Sequence, residues 1–165
     1  MTLAELNACD RARFVGAIGG IFEHSPWVAE RAWEYRPFAS ADELHDAMML
    51  VVTRAPRHEQ LALLRAHPDL GTRARMSDSS TAEQSGAGLD RMLPAEFERL
   101  QRLNAAYWQK FGFPFLFAVK GSTANEILAA LEQRLPATPD AELVEALRQV
   151  SRIAQFRLEV AISVG

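Results

Sequence analysis

Phe97-Glu98-Arg99-Leu100-Gln101-Arg102-Leu103-Asn104-Ala105-Ala106-Tyr107-Trp108-Gln109-Lys110-Phe111-Gly112-Phe113-Pro114-Phe115-Leu116-Phe117-Ala118-Val119 carries two signals in one stretch. Up to Phe111 the apolar residues Phe97, Leu100, Leu103, Tyr107 and Phe111 recur at helical spacing and form one stripe. From Gly112 that period is lost. Pro114 has no N–H and disfavours helix at Phe113. Phe113, Phe115 and Phe117 stand in five positions, which predicts a buried, extended connection over 112–122. Buried backbone outside a helix must still place its N–H and C=O groups. Neighbouring backbone, water, or a ligand with amide-like edges would serve.

The same period recurs on either side. Ile127, Leu128, Leu131 and Leu135 form a second stripe, and Leu143, Leu147, Val150, Ala154 and Ala161 a third. Thr2-x-x-Glu5, Ser40-x-x-Glu43, Ser80-x-x-Glu83 and Thr123-x-x-Glu126 fit the capping box. Ser25-Pro26 and Thr138-Pro139 fit an N-cap followed by proline at N1. No segment alternates over six residues with turns at both ends. The expected fold is all-α, seven or eight helices in a single domain over 1–165. It has a functional loop around 67–89, rich in Ser, Thr, Gly and Ala after His67-Pro68-Asp69-Leu70-Gly71.

Composition narrows the function classes. Of 165 residues 48% are hydrophobic and 24% charged, the ordinary globular balance. Net charge is −3, which supplies no basic field for nucleic acid. Lys and Arg total 18, of which only Lys110 and Lys120 are lysines, so arginine is common and no single arginine is special by its presence. The single cysteine, Cys9, excludes an internal disulfide and any cysteine-based metal site in one chain, and favours a reducing compartment. No apolar run reaches the roughly 18 residues of a membrane helix. The first residues lack a basic secretory n-region and the last four are no peroxisomal signal. The expected setting is cytoplasmic.

Metal and nucleotide motifs are missing. His58-Glu59 begins like a zinc helix, but Ala62 stands where a second His is needed. Gly16, Gly19 and Gly20 form no phosphate loop, since no Gly-Lys-Ser/Thr follows. No Gly-x-Ser-x-Gly elbow exists, and Ser79, Ser80 and Ser85 read as caps and loop formers. His67 is the remaining centre. It follows an amphipathic helix over 60–66, and Pro68 fixes the chain direction after it. A histidine there either moves a proton near neutral pH or caps the helix C-terminus. Asp69 either forms an Asx-turn or orients the ring. Glu83 is either a chemical carboxylate or the N3 member of a box headed by Ser80. Arg157 takes the vacant place in the third stripe, where it needs an acid or an anionic ligand. A stripe through Val144, Leu147, Ala154, Leu158 and Ile162 would instead leave it snorkelling at an edge.

Together these stretches resemble a known family. His67-Pro68-Asp69-Leu70, Glu83-Gln84-Ser85-Gly86-Ala87-Gly88-Leu89, Asn104-Ala105-Ala106-Tyr107, Phe111-Gly112-Phe113-Pro114-Phe115 and Val119-Lys120-Gly121 are similar to the OHCU decarboxylases. OHCU is 2-oxo-4-hydroxy-4-carboxy-5-ureidoimidazoline. Phe22-Glu23-His24-Ser25-Pro26-Trp27-Val28-Ala29 and Arg152-Ile153-Ala154 ahead of Arg157-Leu158-Glu159 extend the likeness to about residues 10–162. Gly71 directly after Leu70 departs from the commoner pattern, and the stretch before Glu83 is variable.

The resemblance implies an all-α homodimer acting in urate breakdown on an anionic ureidoimidazoline, giving (S)-allantoin and CO2, with neither metal nor organic cofactor. It implies His67 as catalytic acid/base, Glu83 with Gln84 fixing ureido and ring N–H groups, and Arg157 giving positive charge to substrate oxygens. It implies a pocket lined by Pro68, by Ser80, Thr81, Ala82, Glu83 and Gln84, and by Phe115, Leu116, Phe117, Ala118 and Val119, the last group largely through backbone. On this reading Arg157→Met spares the fold and loses activity. The alternatives are a helical protein-interaction module with a docking groove along 107–117, and a decarboxylase of a related ureido-ring acid.

Overall fold

In the computed structural model, residues 1–72 and 77–163 are described. Part of the expected loop (73–76) and the last two residues, 164–165, lie outside them. The described residues carry nine α-helices and no strand: α1 (Leu3–Ala8), α2 (Arg11–Ile18), α3 (Trp27–Ala32), α4 (Ala41–Arg54), α5 (Arg57–Arg65), α6 (Asp78–Gly86), α7 (Pro94–Phe111), α8 (Ala124–Arg134) and α9 (Pro139–Ala161). The all-α expectation is met, with α1 and α3 each only six residues long.

The capping chemistry is largely as expected. The Thr2 side chain accepts from the Glu5 N–H and the Glu5 carboxylate accepts from the Thr2 N–H. Ser40 and Thr123 accept from Glu43 and Glu126 N–H, and Thr138 caps α9 through the Ala141 N–H. Two starts differ. Ser25 does not cap α3; its hydroxyl donates to the Glu23 carbonyl. Ser80 does not head α6, because Ser77 accepts from the Ser80 N–H and starts the helix three residues earlier. The stretch expected as loop over 67–89 therefore contains a helix. Ser and Thr weaken a helix interior by competing for its backbone, but Ser77 caps this one and burial of Ser80 and Gln84, one turn apart, holds it.

Two units divide the chain. The first comprises Met1–Ala66 with Ser151–Gly165, the second His67–Val150, and α9 contributes to both. In the first unit α3 packs on α2 and α4, around Phe14, Phe22, Val28, Leu44 and Met48, all at or near zero exposure. In the second, Leu100 and Tyr107 of α7 and Ile127, Leu128 and Leu131 of α8 are buried. Gly112, at φ 77°, ends α7 in the left-handed conformation that suits glycine. The chain beyond it is non-helical and buried from Phe113 to Leu116, as Pro114 requires. The Tyr107 ring meets Phe113 and Phe115 edge-on, with centroids 5.9 and 5.4 Å away.

The buried face of α9 resolves the stripe ambiguity. Leu143, Ala146, Val150, Ile153, Ala154 and Leu158 are buried while Val144 is 69% exposed. Arg157, 6% exposed, therefore lies inside the apolar face and does not snorkel from its edge. No helix among the described residues is long and apolar enough to cross a membrane.

Candidate active site

His67 begins the second unit. The last turn of α5 is closed by the Ala66 N–H on Ala62 O, so the backbone ends that helix before His67. The His67 side chain is inside the protein, at 7% residue exposure.

The turn carrying His67 is braced at successive positions. The Trp108 indole N–H donates to Asp69 Oδ1 at 2.9 Å. Asn104 Nδ2 donates to the Leu70 carbonyl at 3.0 Å. Gln84 Oε1 accepts from the Gly71 N–H at 2.8 Å, and the Thr72 N–H closes back on the Asp69 carbonyl at 3.2 Å. The turn at Asp69 is closed by its backbone carbonyl and not by its side chain, so it is no Asx-turn; the carboxylate is instead held by the Trp108 indole. Gly71 has φ 73°, and a Cβ there would fall 2.6 Å from Leu100 Cδ2. The glycine that departs from the commoner pattern is therefore favoured by its left-handed backbone, while a side chain there would also have to displace the Leu100 methyl.

Trp108→Phe tests the brace. The bond is charge-assisted and part-buried, so its loss is expected to cost about 1.5–3 kcal/mol. Chemical denaturation checks this; an unchanged midpoint would mean the indole does not hold Asp69.

On α6, Ser80 and Gln84 are buried, Glu83 is half-buried, and Thr81 and Ala82 face outward. Because Ser77 heads the helix, Glu83 is not the box partner of Ser80. The capping explanation for this carboxylate is removed. Gln84 spends its carbonyl on the Gly71 N–H, which makes it a support for the His67 turn.

In the buried connection, Phe115, Leu116, Ala118 and Val119 are inside and Phe117 is half-buried. The Leu116 carbonyl accepts from Arg134, and the Ala118 N–H donates to Gln149 Oε1 at 3.0 Å. Of the expected residues, His67, Pro68, Ser80, Glu83, Gln84 and 115–119 all fall in the second unit.

Arg157 falls in the first. Its guanidinium lies 3.0 Å from Glu23 Oε2, with side-chain exposures of 5% and 0%. It also donates to the Ile21 carbonyl at 3.2 Å. The acid that this arginine needed is therefore Glu23, in the stretch Phe22-Glu23-His24-Ser25-Pro26. His24 stands at φ 47°, an unusual conformation for a residue with a side chain. With Glu23 as partner, the expectation that Arg157→Met spares the fold no longer holds.

One arrangement imitates a nucleophile pair. His45 Nε2 is 3.2 Å from Ser151 Oγ but 2.9 Å from the Ser151 carbonyl. A carbonyl only accepts, so Nε2 carries the proton and has no lone pair to activate the hydroxyl. His45 ties α4 to the last turns of α9 within the first unit. Trp108, Asn104, Arg134, Glu142, Gln149 and Glu23 are not marked out individually by the sequence. Asn104 interrupting the buried line of α7, and Glu23 between Phe22 and a proline turn, were the available signals.

The comparisons with known proteins agree with one another. Residues 7–159 match the family model described as OHCU decarboxylase. The chain is 50% identical over 158 residues to 2-oxo-4-hydroxy-4-carboxy-5-ureidoimidazoline decarboxylase of Haloferax volcanii, covering 96% of this chain and 94% of that one. It is 45% identical over 157 residues to the uric acid degradation bifunctional protein PucL of Bacillus subtilis, covering 95% of this chain and 32% of the longer relative. Among solved structures it superposes on (S)-allantoin synthase with TM-score 0.82 and 34% identity, over 99% of this chain and 54% of that one. The chain belongs to the OHCU decarboxylase family.

Proposed function

We propose that the chain removes the carboxylate of 2-oxo-4-hydroxy-4-carboxy-5-ureidoimidazoline to form (S)-allantoin and CO2, a step of urate degradation, with His67 as acid/base. The observation that carries the role of His67 is a buried histidine on a turn fastened by Trp108, Asn104 and Gln84. A proton carrier is effective when its position is held, because orientation is a large part of catalysis.

The substrate explains why so small a set of groups is enough. The C–C bond to the carboxylate breaks at a ring carbon beside a C=N bond. The released pair forms a carbon–carbon double bond as the C=N pair moves onto nitrogen, which takes a proton. The hydroxyl then becomes the ring carbonyl as it gives up its proton, and the ureido-bearing carbon is protonated. For the carboxylate form, one proton is taken up and one CO2 lost. His67 is placed by this reading at the hydroxyl and carboxylate end.

Glu83 accepts from ureido and ring N–H groups, with Gln84 beside it holding the turn. Pro68, Ser80 and the 115–119 backbone line the pocket. The Phe117 N–H and C=O, which meet no hydrogen bond among the described residues, supply a donor and an acceptor suited to a ureide. Arg157 is assigned positive charge for substrate oxygens on its chemistry and on the family resemblance. Homodimerisation and a cytoplasmic setting belong to the same proposal, the first from the family and the second from the single cysteine.

The test generates the substrate in situ from urate with the upstream enzymes and follows allantoin by circular dichroism. Accelerated appearance of one enantiomer is expected. No acceleration, or a racemic product at the spontaneous rate, would overturn the assignment.

A further inference from the structure

Behind the 115–119 connection lies a buried polar cluster that the proposed chemistry does not use. Arg134 Nε donates to Glu142 Oε1 at 2.6 Å, and the Tyr107 hydroxyl donates to the same oxygen at 2.5 Å. The Arg134 and Glu142 side chains are 13% and 2% exposed. A second guanidinium nitrogen donates to the Leu116 carbonyl, and the guanidinium lies 4.5 Å from the Phe115 ring centroid. Burial, then the bond to Glu142, pushes the Tyr107 hydroxyl well above its ordinary range, so it stays a donor. Next to this cluster Gln149 Oε1 takes the Ala118 N–H, and Gln149 Nε2 donates to Glu145 at 2.9 Å.

Stability alone is a poor reason for such an arrangement. A buried ion pair is generally matched or bettered by apolar residues of similar volume. What the cluster does uniquely is pin two consecutive peptide units. In a planar trans peptide the C=O of one residue and the N–H of the next point in opposite directions. Arg134 holds the Leu116 carbonyl, so the Phe117 N–H points away from Arg134. Gln149 holds the Ala118 N–H, so the Phe117 carbonyl points away from Gln149. No hydrogen bond reaches either Phe117 group among the described residues. One residue thus offers a donor and an acceptor, each aimed by a side chain on the opposite end of its peptide.

We propose that Arg134, held by Glu142 and Tyr107, and Gln149, held by Glu145, are positioning residues for the decarboxylation, setting the Phe117 N–H and C=O as a paired edge for the ureide of the substrate. This rests on the proposed use of 115–119 as pocket backbone. Neither side chain touches substrate. Lysine at 134 keeps the charge that Glu142 needs but lacks the rigid fork that bonds two partners in fixed directions. Methionine at 149 keeps the volume and removes the acceptor.

The experiment uses the full chain, isotopically labelled, titrated with (S)-allantoin while the Phe117 amide resonance is followed. Turnover and product enantiomeric excess are measured on Arg134→Lys and Gln149→Met. In the unsubstituted protein the Phe117 amide is expected to shift on binding. In the variants, with melting temperature retained, the shift is expected to shrink, kcat to fall about 10–100-fold by misplacement, KM to change less, and enantiomeric excess to drop. If the unsubstituted protein binds allantoin with no Phe117 shift, the pocket reading of 115–119 fails and this proposal with it. If Phe117 shifts but both folded variants keep kcat and enantiomeric excess, the pocket reading stands and the positioning role is overturned. Should Arg134→Lys not fold, Gln149→Met decides the question by the same readouts.

Discussion

His67→Asn is expected to lower turnover by about 100-fold or more, the scale of lost general acid–base catalysis. Asparagine retains hydrogen-bonding capacity and much of the polarity, but its amide does not exchange a proton near neutral pH. Little change in fold is expected, because the turn is fastened through Asp69, Leu70 and Gly71 and none of those bonds uses the His67 ring. The pairing of a large kinetic loss with a small shift in melting temperature separates the two uses of a histidine at this position. A helix cap predicts the reverse: stability falls by up to about 1 kcal/mol, the typical worth of such a dipole contact, and the rate is kept. Stopped-assay turnover beside thermal unfolding measures both. A well-folded variant with near-normal turnover would remove His67 from the chemistry.

Arg157→Met is expected to affect both readouts. Glu23 has no side-chain exposure, so removing its cation leaves a buried carboxylate short of a partner. Breaking a buried pair in this way costs on the order of 3–5 kcal/mol, or roughly 6–20 °C in melting temperature for a chain of this size. Loss of activity in the single variant is therefore ambiguous. The double variant Glu23→Gln with Arg157→Met resolves it, because a neutral amide no longer needs the guanidinium. Most of the lost stability is expected to return, while turnover stays low if positive charge serves the substrate. Recovery of turnover together with stability would show that Arg157 is only scaffolding.

Much of the fold was legible because its signals are local. Leu100, Tyr107, Ile127, Leu128 and Leu131 repeat at the period of a helix and are buried. Thr2, Ser40 and Thr123 accept from N–H groups three residues ahead, a distance any sequence displays. The break after Phe111 was equally plain, since Gly112 suits a left-handed cap and Pro114 cannot continue a helix. Where local signals are weak, the structure departs from what they suggest. The run Asp78-Ser79-Ser80-Thr81 looks like loop by composition, but Ser77 caps it and burial of Ser80 and Gln84 makes it helix.

The candidate site divides in the same way. His67, Glu83 and 115–119 stood out by residue type and family likeness. The groups that hold them did not, because Trp108 meets Asp69 from 39 residues away and Asn104 meets Leu70 from 34. From the sequence alone came the helical stripes, most of the caps and the break at Pro114, and with the family likeness the candidate side chains. These follow from backbone sterics, capping and hydrophobic period, which act within a few residues. Only the tertiary structure decided that Glu23 is the acid for Arg157 and that Arg134 and Gln149 grip the peptides around Phe117. Such pairings depend on which buried donor meets which buried acceptor once the chain has closed on itself, and desolvation makes each of them nearly compulsory.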